Sequence, residues 1–167
     1  MSGSVSLLST LNSPQDYRLK VRRELGTLQL LRMKPLFLDA GYVIALEASD
    51  DQNHTSASQH WRKLLKSPPP LVTTSYVFDE VVTFFNSRTR HEKAIEVGRN
   101  LIQASSIEMV HIDEALFYEG WDYLQKHKDK NYSLTDCISF VLMTQRGMKT
   151  ALAFDRHLTQ AGFEKLP

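Results

Sequence analysis

Short apolar runs alternate with longer amphipathic segments along this chain, and the alternation predicts its architecture. Leu36-Phe37-Leu38, Leu71-Val72-Thr73, Met109-Val110-His111-Ile112 and Thr150-Ala151-Leu152-Ala153-Phe154 are short and rich in residues that suit strands. The stretches between them carry apolar residues at helical spacing. Helices are expected at 42–48, from Asn53 or Thr55 to 66, at 75–88, at 92–104, after an Asp113 cap to 126, at 133–146 and in a short segment at 156–161. Ala57, Trp61, Leu64 and Leu65 form one inner face, and Ala94, Val97, Leu101 and Ile102 form another. The 133–146 segment is apolar on most sides, which marks a buried central helix ended by Gly147. Pro68-Pro69-Pro70 is a loop, and there is no internal repeat.

This pattern predicts an α/β fold: a three-layer sandwich with a central parallel sheet flanked by helices on both faces. In such sheets ligands bind beyond the carboxyl ends of the strands. Asp39, directly after the first run, and Asp155, directly after the last, occupy that address.

A length of 167 residues suits one domain plus an appendage. The single Cys137 excludes an intrachain disulfide and a cysteine zinc site, and fits a reducing cytoplasm. No apolar stretch reaches the roughly 18 residues that cross a bilayer, and Val5-Ser6-Leu7-Leu8 is too short for a signal peptide, so no membrane role is expected. The net charge of +1 hides an asymmetry: residues 1–34 hold six Lys/Arg against Asp16 and Glu24, so this leader carries +4 and the rest −3. Tyr17, Val21, Leu25, Leu28 and Leu31 form a rough helical stripe among the basic residues, which on one reading is a basic amphipathic helix. On the other, Met33 is the true start, and residues 1–34 are a non-native or dispensable extension of a domain at 35–167. Three basic patches, Arg88-Thr89-Arg90-His91, Lys126-His127-Lys128 and Arg156-His157, are either solvated helix ends or local holds for nucleic acid.

Four acids carry the candidate chemistry. Asp39 and Asp155 each have an ordinary alternative as the N-cap of the helix that follows. Asp136 fits a capping box opened by Ser133, but Phe140 and Met143 share its side of the helix, which predicts a largely buried carboxylate. Glu80 lies among Val77, Val81 and Phe84, which places it in the core-facing stripe of its helix. A lone buried carboxylate is costly and requires a cation, a partner or a proton. Asp79, Asp113, Glu114, Asp50 and Asp51 read as caps and surface. Gathered in one cleft, the four acids would repel one another, and a hard oxygen-rich site of that kind suits Mg²⁺ or Mn²⁺. The chemistry it favours is metal-assisted hydrolysis of phosphodiesters. No Walker loop, GxGxxG, HExxH or GxSxG motif occurs.

From about Met33 to Pro167 the chain resembles PIN-domain ribonucleases, and among them the VapC toxins of type II toxin–antitoxin pairs. Leu36-Phe37-Leu38-Asp39-Ala40-Gly41-Tyr42 is similar to the family's opening strand and helix, and Thr73-Thr74-Ser75-Tyr76-Val77-Phe78-Asp79-Glu80 to the segment delivering its central glutamate. Tyr132-Ser133-Leu134-Thr135-Asp136-Cys137 and Ala153-Phe154-Asp155-Arg156-His157-Leu158 complete the ordered set. The resemblance implies a Mg²⁺-dependent endoribonuclease with Asp39 and Asp136 as principal metal ligands, and Glu80 and Asp155 completing the site directly or through water. It implies substrate contacts from Thr135 and Arg156, an RNA substrate, a homodimer and inhibition by a small VapB-like antitoxin. The chain departs from the family at Ala40 and Ala153, where a Thr or Ser is common. Two other functions stay open: a housekeeping RNA-processing or DNA-directed nuclease of the same superfamily, and a catalytically silent PIN-like binding domain. Toxicity on expression separates the toxin from the first, and binding of Mg²⁺ or Mn²⁺ separates it from the second.

Overall fold

A computed structural model of the chain describes Leu8 and residues 33–167. Its elements run β1 (Leu36–Leu38), α1 (Ala40–Glu47), α2 (His54–Leu64), β2 (Leu71–Thr74), α3 (Ser75–Ser87), α4 (His91–Gln103), β3 (Ile107–Val110), α5 (Glu114–Lys126), α6 (Leu134–Gln145), β4 (Thr150–Leu152), α7 (His157–Gln160) and β5 (Glu164–Leu166). The five strands form one sheet in the order β3-β2-β1-β4-β5, parallel at every pairing. The three-layer α/β expectation holds.

β1 is the central strand. Phe37 is registered against Val72 of β2 on one side and Ala151 of β4 on the other, and Phe37 and Leu38 are fully buried. From β1 the chain steps outward to β2 and β3, then returns across the sheet to β4 and steps the other way to β5. Right-handed crossovers in opposite directions put α1–α4 on one face and α5–α7 on the other. The packing agrees: α1 meets α2 and α3, α3 meets α4, α5 meets α6, and α6 meets α7. α6 is the predicted central helix, with Cys137, Ile138, Ser139, Phe140, Leu142 and Met143 all buried. Burial also pushes the Cys137 thiol up to about 11, with the Asp136 charge adding to the effect, so it stays a protonated core group.

The strands that differ most from the sequence pattern are β5, β3 and β4. β5 was not expected, because an edge strand reading Glu164-Lys165-Leu166 has no apolar run to announce it. β3, at the other edge, starts earlier than the Met109–Ile112 run, since Glu108 interrupts its apolar character. β4 ends at Leu152, two residues before its apolar run does. The proposed amphipathic helix of the leader lies outside the described residues. Leu8, however, is fully buried, and its N–H donates to Glu47 Oε1 at 2.9 Å. Glu47 Oε2 in turn accepts from Lys93 Nζ of α4 at 2.7 Å.

The tightest helix contact is at Gly120 of α5. A Cβ at that position would fall 2.3 Å from Ile138 Cγ1 and 3.1 Å from Ile138 Cα, so only glycine allows α5 this close to α6. Gly120→Ala is therefore expected to cost about 1–3 kcal/mol through overpacking, measured by urea unfolding. Wild-type stability in that variant would contradict the close approach.

Candidate functional site at the carboxyl edge of the sheet

The strand order reverses between β1 and β4, which opens a crevice beyond their carboxyl ends. Asp39 follows β1 directly, and its N–H donates to Leu152 O of β4 at 3.1 Å, so the backbone is fixed by the sheet itself. From the other side Thr73, fully buried on β2, donates its Oγ1 hydroxyl to Leu38 O at 2.8 Å and pins the preceding peptide. The Asp39 side chain caps α1, with Oδ2 accepting from Gly41 N at 3.0 Å. The ordinary capping role thus holds, and it aims the carboxylate into the crevice edge.

Asp136 occupies the third position of α6 in the predicted capping box. Its Oδ2 accepts from Ser133 N at 2.8 Å, and Ser133 Oγ accepts from Asp136 N at 3.0 Å. Asp155 lies after β4, where its Oδ1 accepts from His157 N at 2.9 Å. Between these two aspartates stands His157, a member of the Arg156-His157 basic patch. Its Nδ1 lies 3.2 Å from Asp136 Oδ2 and 3.4 Å from Asp155 Oδ2. The ring is packed edge-on against buried Tyr132, with centroids 5.4 Å apart. The available signal was local: a histidine two residues after an aspartate that starts a turn.

Glu80 differs from expectation. It is exposed, because the buried stripe of α3 is Val77, Val81 and Phe85, at four-residue spacing. Glu80 precedes Val81 by one residue, a turn of roughly 100° around the helix, which moves it from the core to the wall of a cleft. Asp136 is partly buried, with a side chain 21% exposed, and Asp155 is open at 50%. The cleft holds about 770 Å³ and is lined by Tyr76, Asp79, Glu80, Thr83, Arg88 and Thr135, among others. Thr135 thus faces the same space as Glu80, whereas Arg156 is exposed at the N-terminal cap of α7 and does not line the cleft.

The electrostatics link the acids. Loss of water around Asp39 raises its carboxyl to about 7; Asp136 and Glu80 add to the rise, while the Gly41 N–H opposes it. Glu80 is also raised. The surrounding protein displaces enough water at the cleft wall, and Asp136, Asp155 and Asp79 add negative charge. Among the described residues no three His, Cys, Asp or Glu side chains converge as a closed metal-ligand set. What the crevice offers is hard carboxylate oxygens of one sign, spread around its rim.

Comparison with known proteins identifies the chain's family and its relatives. The PIN domain family model matches residues 36–164. The 23S rRNA-specific endonuclease VapC20 of Mycobacterium tuberculosis is 31% identical over 129 residues, spanning 77% of this chain and 95% of that protein, in each of two strains. The crystal structure of M. tuberculosis VapC20, described as a Sarcin-Ricin loop cleaving toxin, superposes with a TM-score of 0.69. That alignment has 29% identity and covers 77% of this chain and 95% of that one.

The raised Asp39 carboxyl has a consequence for stability. An unfolded aspartate loses its proton near 3.8, whereas Asp39 in the fold keeps it until about 7. Between those values the folded state binds more protons than the unfolded one, so stability falls as pH rises. In metal-free protein the unfolding free energy should drop by a few kcal/mol from pH 4 to pH 7, and Asp39→Asn should remove most of that slope. An equal slope in both proteins, measured by denaturant unfolding across the pH range, would contradict the assignment.

Proposed function

Because the chain belongs to the PIN-domain family, we propose that it is a divalent-metal-dependent endoribonuclease, the VapC-type toxin of a toxin–antitoxin pair, with residues 35–167 as its nuclease unit. The observation that carries this reading is Asp39. A carboxyl lifted to about 7 by burial and two neighbouring carboxylates, at the strand-order switch of a parallel sheet, is a group whose charge is satisfied by a cation. The donor chemistry fits Mg²⁺, or Mn²⁺, which favour carboxylate oxygens; Mg²⁺ is usually held by one or two carboxylates and retains several waters. The open, one-sided arrangement of acids suits that mode better than an all-protein cage.

Asp39 and Asp136 are the direct ligands in this reading. The Asp136 Oδ2 atom is already committed to Ser133 N and to His157, which leaves Oδ1 for the ion. Asp155, oriented by His157, and Glu80, on the cleft wall, act through water and keep the local charge negative enough to retain a dication. Thr135 positions a phosphate oxygen from the cleft wall. Arg156, exposed beside Asp155, supplies a positive charge to the RNA backbone. When bound, the ion polarises a phosphoryl oxygen and acidifies attacking water. The buried alanines Ala40 and Ala153 remove a hydroxyl each from the site's surroundings and leave every carboxylate in place.

The M. tuberculosis relative is named for 23S rRNA and described as cleaving the Sarcin-Ricin loop. A structured ribosomal RNA is accordingly the first substrate to try with this chain. The same kinship supports a homodimer, a small VapB-like antitoxin as the physiological inhibitor, and action in the cytoplasm. No helix among the described residues is long and apolar enough to cross a membrane.

Asp39→Asn and Asp136→Asn should each lower RNA cleavage by about 100-fold or more, with an unchanged circular dichroism spectrum, and should relieve growth arrest on expression. Metal-dependent cleavage at the wild-type rate in both purified variants would sink the proposal. His157→Ala should lower cleavage by about 10-fold or more, as loss of a group that orients ligands does. Restoration by His157→Asn, which keeps a donor near the Nδ1 position, would separate orientation from a purely structural role.

A further inference from the structure

Of the residues in the three basic patches, Arg88 is the one among the described residues that lines the cleft. Arg90 is spent on Asp50, which it holds through two bonds of 2.9 and 2.6 Å. His127 is stacked on Tyr123 with centroids 4.0 Å apart. Arg88 is different: its guanidinium lies 3.7 Å over the Phe84 ring, donates to Phe84 O at 3.2 Å, and forms no ion pair among the described residues. It also lines the same cleft as Glu80 and Thr135.

The cleft wall is largely one face of α3. Tyr76, Glu80, Thr83, Phe84 and Arg88 recur at spacings of three and four residues, so they form a continuous strip along the helix. At 1.5 Å per residue, Arg88 stands roughly 12 Å along the axis from Glu80. The strip is therefore acidic at the end near Asp39 and Asp136, and cationic at the other. Its middle and its acidic end carry partly buried aromatic rings, Phe84 and Tyr76.

We propose that this face of α3 is a track for a single-stranded RNA segment flanking the bond to be cut, with Arg88 gripping a backbone phosphate. The inference rests on the reading of the acidic crevice as an RNA-cleaving site, and deepens it by naming where the rest of the strand lies. A phosphate beside four carboxylates is repelled unless a cation intervenes, so binding needs a positive contact beyond the acids. Arg88 supplies it at the distance of a few nucleotides. Phe84 holds the guanidinium from beneath, which leaves its remaining N–H groups open to a phosphate and its outer face open to a base. Tyr76, one helical turn before Glu80, offers a ring on which an unpaired base can stack.

Binding is best measured in an Asp39→Asn parent, which does not cut the probe. The probe is a fluorescein-labelled single-stranded oligoribonucleotide of mixed sequence, about 12 nucleotides long, read by anisotropy and compared with its duplex. Arg88→Ala in that parent should weaken single-strand binding by about 10-fold and lower the slope of log affinity against log salt by about one. Arg88→Lys should restore the slope but only part of the affinity. Tyr76→Leu should weaken single-strand binding by about 5-fold or more and leave duplex binding unchanged. Thermal midpoints matching the parent show that the exposed Arg88 changes leave the fold intact. Parent-like affinity and salt slope in Arg88→Ala would overturn the track, as would equal losses on single strand and duplex. A parent that binds neither probe would likewise overturn the track, whereas the RNA-cleaving reading falls separately, if wild-type protein with Mn²⁺ leaves a structured ribosomal RNA uncut.

Discussion

Asp39 is a carboxylate held where its charge is unwelcome. The β1–β4 ladder and the Thr73 hydroxyl fix its backbone, and the Gly41 N–H fixes one of its oxygens. Burial, Asp136 and Glu80 all act against its ionised form. The clamped backbone and the Gly41 N–H keep the carboxyl at the crevice. Without an ion it relieves the crowding by holding a proton up to about pH 7, and in the proposed function a divalent cation takes that place.

The scaffold follows from the same place. A central β1 with apolar neighbours on both sides requires helices on both faces of the sheet. The reversal of strand order beside β1 then brings the turn after β1 next to the turn after β4. Asp39 and Asp155 come to the same edge of the sheet through topology, although 116 positions separate them by number in the sequence. Asp136 reaches the same edge on α6, whose approach to α5 depends on the missing side chain of Gly120. His157 then joins Asp136 to Asp155 with one ring nitrogen.

Much of this was legible in the sequence, for physical reasons that differ by residue. The capping box at Ser133 and Asp136 was readable because it is encoded in four consecutive residues. Asp39 and Asp155 were readable because an apolar run followed by an acid marks a strand end. Glu80 was placed on the correct helix but on the wrong part of its circumference. Apolar neighbours at Val77, Val81 and Phe84 define a stripe only to within one residue, and that uncertainty separates a core position from a cleft wall. An exposed Glu80 opens onto the cleft, as a core glutamate would not. β5 escaped notice because an edge strand needs no apolar signature, and His157 because its role depends on a partner in another helix.

In the proposed function a cation takes the place of a proton on Asp39. Isothermal titration of metal-free protein with Mn²⁺, in buffers of different ionisation enthalpy, measures the protons released per ion bound. Below the Asp39 value of about 7, near pH 6, about one proton per ion should be released, falling toward zero by about pH 8. In Asp39→Asn that pH-dependent release should be lost. Mn²⁺ binding with no proton release at pH 6, or with release unchanged in Asp39→Asn, would contradict an exchange of proton for cation at Asp39.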